Sequence, residues 1–177
     1  DEFFMIRVGS LFDLMHAKTD TLDNKSGMTP KEQLACIFDA VRPLYQKREQ
    51  LYFEVETCLR MHDIYNLDYH ELAKNERESA KQYYEAMMAP LLSPQIVDTK
   101  HPFPRLANKL LHIGVMLKHK NREIFGVVPI PDTIPPLFRL PGSEVRSIRT
   151  EVIAMEYIDQ LFAPFTVLEK VAFSVTR

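Results

Sequence analysis

The sequence predicts an α+β fold: half of a helical bundle on the amino-terminal side, followed by a mainly antiparallel sheet with a packed helix. Apolar residues recur at helical spacing from Phe4 to Leu91, whereas from Leu111 onwards they alternate with a period of two. A proline-punctuated segment, 90–104, separates the two patterns. Helices that precede strands, instead of alternating with them, are typical of the α+β class.

Composition places the chain among globular proteins of ordinary size. Of its 177 residues, 46% are hydrophobic and 26% are charged, which argues against a disordered chain. The formal net charge of −2 predicts no general attraction to nucleic acid. No apolar run approaches the roughly 20 residues that span a bilayer, and we expect a cytoplasmic protein, with membrane association of a longer parent left open. Because the chain begins at Asp1 without an initiator Met, we expect it to be either a fragment or a trimmed form of a protein.

The first helix is predicted over about residues 2–17, followed by an exposed polar loop over 18–27. A second, long helix begins at Thr29-Pro30-Lys31-Glu32, in which Thr29 is the N-cap and Glu32 closes a capping box. Pro43 predicts either a bend in this helix or two helices end to end. Each helix carries an apolar stripe for packing. The stripes are Phe4, Val8, Leu11 and Met15, and then Leu34, Phe38, Val41, Leu44, Leu51, Val55 and Leu59.

A further helix is predicted over 75–91, starting at Asn75 with Glu78, after a short capped turn at 66–72. Adjacent helical positions diverge by about 100°, so one member of each pair Tyr83-Tyr84 and Met87-Met88 is expected to pack and the other to be half exposed. The segment 90–104 is interpreted as an ordered connector.

Strands are predicted from about residue 110. The alternation over 111–118 predicts a half-buried strand, with His112 and Gly114 on its other side, and 124–130 completes an antiparallel hairpin. A third short strand is predicted at 137–140, a helix at 151–162, and a last strand at 167–176.

No catalytic or metal site is visible in the motifs. The five glycines form no phosphate-binding loop, and the histidines have no metal-ligand spacing, which disfavours a histidine-dependent metal enzyme. Cys36 and Cys58, if they share one helix, lie too far apart for a disulfide, and two buried thiols are expected. The histidines are His16, His62, His70, His101, His112 and His119.

Several ordered motifs nevertheless resemble one family along the whole chain, the bacterial polyphosphate kinases. The opening run DEFFMIRVGSLFDL is similar to a signature near the amino-terminal end of that family. The later matching motifs are Gly27–Leu34, Ala89–Pro94, His101–Pro104, Val128–Pro131, Phe138–Pro141 and Phe173–Arg177.

The resemblance implies that 1–63 is the end of an amino-terminal helical domain and 64–177 the first part of an α+β middle domain. In that family two carboxy-terminal domains follow and transfer the terminal phosphate of ATP to polyphosphate through a phosphohistidine, with Mg²⁺. None of the six histidines matches the catalytic position, so this chain is expected to have no catalytic residue, to be inactive alone and to hold neither ATP nor Mg²⁺ by itself. Its implied partners are the remaining domains, polyphosphate, and a second subunit bound through the middle domain.

The resemblance also implies nucleotide-adjacent residues: Asp1, Glu2 and Phe3, with Arg7 supplying charge near phosphate. The other interpretation of Arg7 is that it pairs with an acid on a neighbouring helix. For the chain as a whole, the alternative to a kinase segment is a free-standing interaction module that keeps the scaffold and has lost the chemistry.

Overall fold

The computed structural model describes residues 2–17, 22–98, 101–120, 122–142 and 144–176. The chain divides into two compact units, Asp1–Cys58 with Thr176–Arg177, here called the helical unit, and Leu59–Val175, called the α+β unit. The mixture of helices and mainly antiparallel sheets confirms the predicted fold class.

The helical unit begins with a π-helical stretch, Phe3–Val8, which continues into the α-helix α1, Gly9–His16. Only the middle of the predicted stripe is buried, since Val8 and Leu11 pack with Leu34 while Phe4 is exposed. These buried side chains hold the first helix against the beginning of the next one.

The long helix α2 spans Pro30–Met61 without interruption. Of the two outcomes expected for Pro43, the division into two helices end to end is therefore wrong. The capping box is present: Glu32 Oε2 accepts from the Thr29 backbone N–H at 2.8 Å, and the Glu32 N–H donates to Thr29 Oγ1 at 3.3 Å. The expectation of a packed stripe is wrong beyond the first turns, because the first helix covers only the region of Leu34. Cys36 and Cys58 are also exposed rather than buried.

In the α+β unit, a 3₁₀ turn at Tyr69–Glu71 precedes α3, Lys74–Tyr83, which continues as a π-helical stretch, Tyr84–Met88, and a 3₁₀ turn, Ala89–Leu91. Helix α3 begins at Lys74, one residue before the predicted start at Asn75. The capping acid is Glu76 and not Glu78, because Glu76 Oε2 accepts a hydrogen bond from the Ala73 backbone N–H at 2.8 Å. Tyr84 and Met88 are buried, whereas Tyr83 is half-buried and Met87 exposed, which confirms the expected division of each pair.

Two sheets follow. Their strands are β1 Ile64–Leu67, β2 Gln95–Val97, β3 Leu111–His119, β4 Arg122–Pro129, β5 Leu137–Arg139, β6 Val145–Arg149 and β7 Thr166–Ser174. The four-stranded sheet has the order β2-β4-β3-β7 and is antiparallel throughout, and its β3–β4 pair confirms the predicted hairpin. The three-stranded sheet has the order β1-β6-β5, in which β1 pairs with β6 in parallel.

Three strands differ from the sequence-based expectation. β1 and β2 precede residue 110, and β6 was not predicted at all. These strands have three to five residues, which is too short for a period of two to be distinguished from chance. What defines β1 and β6 is their mutual pairing across a long stretch of sequence, which no local pattern can reveal.

The core lies between the four-stranded sheet and the helices that pack on it. Ile113, Val115 and Leu117 of β3 contribute its inner layer. Against expectation, His112 and Gly114 on the other side of β3 are buried too, because aromatic rings cover them: the His112 ring stacks on Phe173 at 5.5 Å.

The predicted helix over 151–162 is two short helices, α4 Thr150–Glu156 and α5 Ile158–Leu161, interrupted at Tyr157. Phe162, directly after α5, approaches the β4 backbone so closely that a Cβ added at Gly126 would lie 2.8 Å from its ring. Glycine at this position therefore permits the helix–sheet contact.

Candidate functional site

The residues that the resemblance places beside a nucleotide all belong to the start of the first helix. Asp1 lies outside the described residues. Glu2 is helical and exposed, and Phe3 is exposed, with its ring edge-to-face against Phe4 at 5.6 Å between centroids. Nothing in the described part of the chain packs over Phe3 closely enough to bury it, so its face is accessible to a ligand.

Arg7 is the residue of this set that the fold holds in place. Its Nη2 donates to Gln33 Oε1 of α2 at 2.8 Å and, more weakly, to Asp23 Oδ1 at 3.4 Å. The side chain remains 48% exposed. Both of these hydrogen bonds involve Nη2, and the Arg7 side chain lines a cleft of about 330 Å³. A guanidinium that lines a cleft is suited to a phosphate or carboxylate.

The turn that presents Asp23 is itself well ordered by hydrogen bonds. Asp23 Oδ2 accepts from the Ser26 backbone N–H at 2.9 Å and from Ser26 Oγ at 2.8 Å. These bonds, the Ser26 N–H first among them, hold the pKa of the Asp23 carboxyl below its usual range. Gly27 closes the turn with φ +66°, a conformation that favours glycine. The carboxylate beside Arg7 is thus charged at neutral pH.

A second, larger cleft of about 500 Å³ lies on another side of the first helix and is rich in aromatic rings. Phe4, Val8 and Phe12 line it from the first helix, and Phe38 and Tyr45 from α2. The Phe12 and Phe38 rings are 6.3 Å apart. Such a surface accepts a flat apolar group by stacking. Arg7 does not line this cleft, so the structure does not bring the cation and the aromatic rings into one pocket.

Sequence reasoning missed the two partners of Arg7. The acid is in a turn, at Asp23, and not on a neighbouring helix. A signal was present, because Asp followed by Ser and Gly in Asp23–Gly27 is typical of a turn closed by an Asp side chain. For Gln33 no signal existed, since an exposed helical glutamine has no pattern that marks its partner.

The histidines have ordinary surroundings. Nδ1 of the buried His112 is 2.8 Å from the Leu110 carbonyl oxygen, and His101 pairs with Asp98 at 2.9 Å. Over the described ranges, no three side chains among His, Cys, Asp and Glu form a group that could hold a metal ion. A search of the same ranges finds no helix with the length and apolar character needed to cross a bilayer.

Comparisons with known proteins agree along the chain. The polyphosphate kinase N-terminal domain model matches residues 1–67, and the polyphosphate kinase middle domain model matches 75–177. Polyphosphate kinases from Halalkalibacterium halodurans and Staphylococcus epidermidis are 33% and 34% identical to it, respectively, over 100% of this chain. The crystal structure of a Porphyromonas gingivalis polyphosphate kinase covers 80% of the chain with a TM-score of 0.68 and 17% identity, which supports the fold alone.

The chain spans about a quarter of the length of these relatives, 26% and 24% of the two curated proteins. Within that quarter the match includes two consecutive family models, and the middle-domain model alone matches more than half of the chain. The chain therefore belongs to the polyphosphate kinase family.

Proposed function

We propose that these residues are part of a polyphosphate kinase that transfers the terminal phosphate of ATP to a growing polyphosphate chain through a phosphohistidine, with Mg²⁺. Residues 1–63 then complete an amino-terminal helical domain, and 64–177 form the first part of the middle domain. The observation that carries the proposal is the match of both family models in the same order. In this proposal the segment supplies scaffold, one wall of the nucleotide site and subunit contacts, while the catalytic histidine lies elsewhere in the parent.

The wall of the nucleotide site is assigned to the start of the first helix. Arg7 supports the assignment, because Gln33 holds its guanidinium at the edge of the neighbouring cleft while the side chain stays 48% exposed. A guanidinium already held in position loses less conformational entropy when it binds a phosphate oxygen. Glu2 and Phe3, about one helical turn before Arg7, are exposed and complete the proposed wall.

The subunit contact is assigned to the α+β unit. Ile64 and Val145 are exposed on its three-stranded sheet, where the register of β1 and β6 places them opposite one another. Exposed apolar side chains that adjoin one another on a sheet are typical of a surface that another chain covers. The second subunit is the proposed occupant.

A kinase assay on the 177-residue chain tests the proposal that the catalytic histidine lies outside this segment. With Mg²⁺, ATP and a polyphosphate primer, we expect no synthesis of polyphosphate, because the chain has no histidine at the catalytic position. The positive control is a full-length polyphosphate kinase in the same assay. Robust synthesis by the segment alone would contradict the proposal.

The role of Arg7 is tested in the full-length parent by Arg7→Gln. We expect the KM for ATP to rise about tenfold, since one charge-assisted hydrogen bond to a phosphate is worth about 1.5 kcal/mol. Arg42→Gln is the matched control, because Arg42 is an exposed arginine of α2 that forms a solvent-exposed ion pair with Asp39, three residues away. Equal KM values for the two variants would remove Arg7 from the nucleotide wall and leave it a structural residue.

The second candidate, a free-standing interaction module, is favoured by the exposed apolar face of α2. The reading frame of the gene distinguishes the two. A frame that continues into histidine-bearing kinase domains supports the kinase, and one that begins with its own Met and stops after Arg177 supports the module.

A further inference from the structure

Hydrogen bonds join Arg7, Gln33 and the turn that precedes α2 into a closed ring. Arg7 Nη2 donates to Gln33 Oε1 at 2.8 Å, and Gln33 Nε2 donates in turn to the Met28 carbonyl oxygen at 3.2 Å. The same carbonyl oxygen accepts from the Asp23 backbone N–H at 3.0 Å. Asp23 Oδ1, 3.4 Å from Arg7 Nη2, closes the ring. These four residues are here called the Arg7 ring.

The side-chain amide of Gln33 is fixed at both ends. Gln33 is half-buried in the first turn of α2. Its oxygen faces the guanidinium, which only donates, and its nitrogen faces the Met28 carbonyl oxygen, which only accepts. Turning the amide over would set donor against donor and acceptor against acceptor. The orientation of Gln33 is therefore determined by its two partners, and Gln33 in turn fixes the position of Arg7 Nη2.

The turn holds the other side of the ring. Asp23 Oδ2 accepts from the Ser26 backbone N–H and hydroxyl, and the Gly27 N–H donates to the Asp23 carbonyl oxygen at 2.8 Å. These bonds keep Asp23 in place, so that its Oδ1 meets the guanidinium at a fixed position. Each bond in such a network is supported by the others. The Arg7 guanidinium is thus held between the turn and α2.

The nearer acceptor on Arg7 is neutral. Gln33 Oε1 is 2.8 Å from Nη2, whereas the Asp23 carboxylate is 3.4 Å away and makes its shorter bonds to Ser26. An amide oxygen holds a guanidinium without cancelling its charge, while a closely paired carboxylate would compete with a phosphate for the same N–H groups. Glutamine at position 33 therefore suits an arginine that is to be held and still bind an anion.

We propose that Gln33 is a positioning residue of the nucleotide site, which holds the Arg7 guanidinium ready for a phosphate of ATP. The role rests on the nucleotide wall proposed above and adds to it a residue that acts through Arg7. Without Gln33 the long arginine side chain is free to adopt more rotamers, and the nucleotide has to order it on binding. The loss should fall on binding and leave the chemical step unchanged.

Steady-state kinetics of the full-length parent carrying Gln33→Met test the role. Methionine is similar to glutamine in size and helix propensity but has no amide. We expect the KM for ATP to rise about threefold, with kcat unchanged. Gln46→Met is the matched control, since Gln46 is exposed on the same helix, and it should leave KM as it is. An unchanged KM in Gln33→Met overturns the proposal.

The isosteric variant Gln33→Glu tests whether the acceptor has to be neutral. A residue that only fills space would tolerate this change. If Gln33 positions Arg7, the new carboxylate pairs with the guanidinium and competes with the phosphate, so the KM for ATP should rise about tenfold. Gln46→Glu adds the same charge elsewhere on α2 and should have no such effect. A KM that stays at the wild-type value in Gln33→Glu contradicts the role.

A double-mutant cycle separates this inference from the proposal on which it rests. In the Arg7→Gln background, Gln33→Met should not raise the KM for ATP any further, because the group that it positions is gone. If Arg7→Gln raises KM and Gln33→Met raises it equally in both backgrounds, Gln33 acts independently of Arg7 and only the positioning role is wrong. If Arg7→Gln itself leaves KM unchanged, the nucleotide wall is wrong and the positioning role is overturned with it.

Discussion

Glu76 joins the start of α3 to the three-stranded sheet. The carboxylate is buried and accepts from Arg146 Nε at 2.7 Å and Nη2 at 3.2 Å, as well as from the Ala73 N–H. One side chain thus caps a helix and neutralises a guanidinium that comes from β6, seventy residues later in the chain. A carboxylate that makes several such bonds is costly to remove, because its partners stay behind.

The variant Glu76→Gln keeps the size of the side chain and removes its charge. We expect the free energy of unfolding to fall by about 2 kcal/mol, somewhat less than for a fully buried pair, because Arg146 retains contact with water and with Glu144. Urea denaturation of the two proteins measures the difference. Glu78→Gln is the control, since Glu78 lies on the same helix and is exposed. Equal losses for both variants would show that the buried pair contributes nothing specific.

The same carboxyl predicts a pH dependence. The hydrogen bond from Arg146, more than any other factor, lowers the pKa of Glu76 in the folded protein. Its contribution to stability is therefore complete above the pKa of the unfolded chain, about 4.3, and is lost as the pH falls through the lower folded value. Wild type should lose stability below about pH 4.3 more steeply than Glu76→Gln does. Unfolding curves at several acidic pH values check this, and parallel curves for the two proteins would contradict it.

The helix α2 contains a proline where helices seldom carry one. Pro43 lies within Pro30–Met61 and is exposed, so neither a helix end nor buried packing accounts for its position. Proline in a helix interior removes one backbone hydrogen bond and crowds the preceding turn. The capping box at Thr29 and Glu32 and the good helix formers that follow hold the helix together in spite of it.

Replacing this residue, as Pro43→Ala, should stabilise the helical unit by about 1–3 kcal/mol. The gain should appear as a higher helix content in circular dichroism and a later unfolding transition. Gln46→Ala, one turn further along the exposed part of α2, is the control and should change stability by only a few tenths of a kcal/mol. A loss of stability on removing the proline would mean that a bend at this position contributes to packing.

The two units differ in how much they bury. In the helical unit the buried apolar cluster consists of Val8, Leu11 and Leu34, whereas the α+β unit has a continuous core that includes β3, β4, α3 and α4. Regions with few buried contacts open at lower free energy than the core of a domain. The two units are thus expected to unfold separately.

Hydrogen exchange of the dilute chain should show this difference. We expect the amides of β3, Leu111–His119, to exchange much more slowly than those of α2 between residues 42 and 55. Uniform protection across both units in the dilute sample would show that they unfold as one.

The sequence by itself determined the features that depend on near neighbours. The capping box of Thr29 and Glu32, the choice of Tyr84 over Tyr83 for burial, and the β3–β4 hairpin follow from spacings of a few residues. The ordered motifs likewise identified the family. All of these are local because helix capping, helical periodicity and hairpin turns are properties of short segments.

Only the tertiary structure decided what depends on distant partners. Three features join residues that are far apart in the chain. They are the parallel pairing of β1 with β6, the buried ion pair of Glu76 with Arg146, and the hydrogen bonds from Arg7 to Gln33 and Asp23. The apolar stripe of α2 is a further case in which local sequence is insufficient. The stripe predicts that another element can pack on this helix, but the tertiary structure decides which part is covered. Here the first helix packs only against the beginning of the stripe, at Leu34.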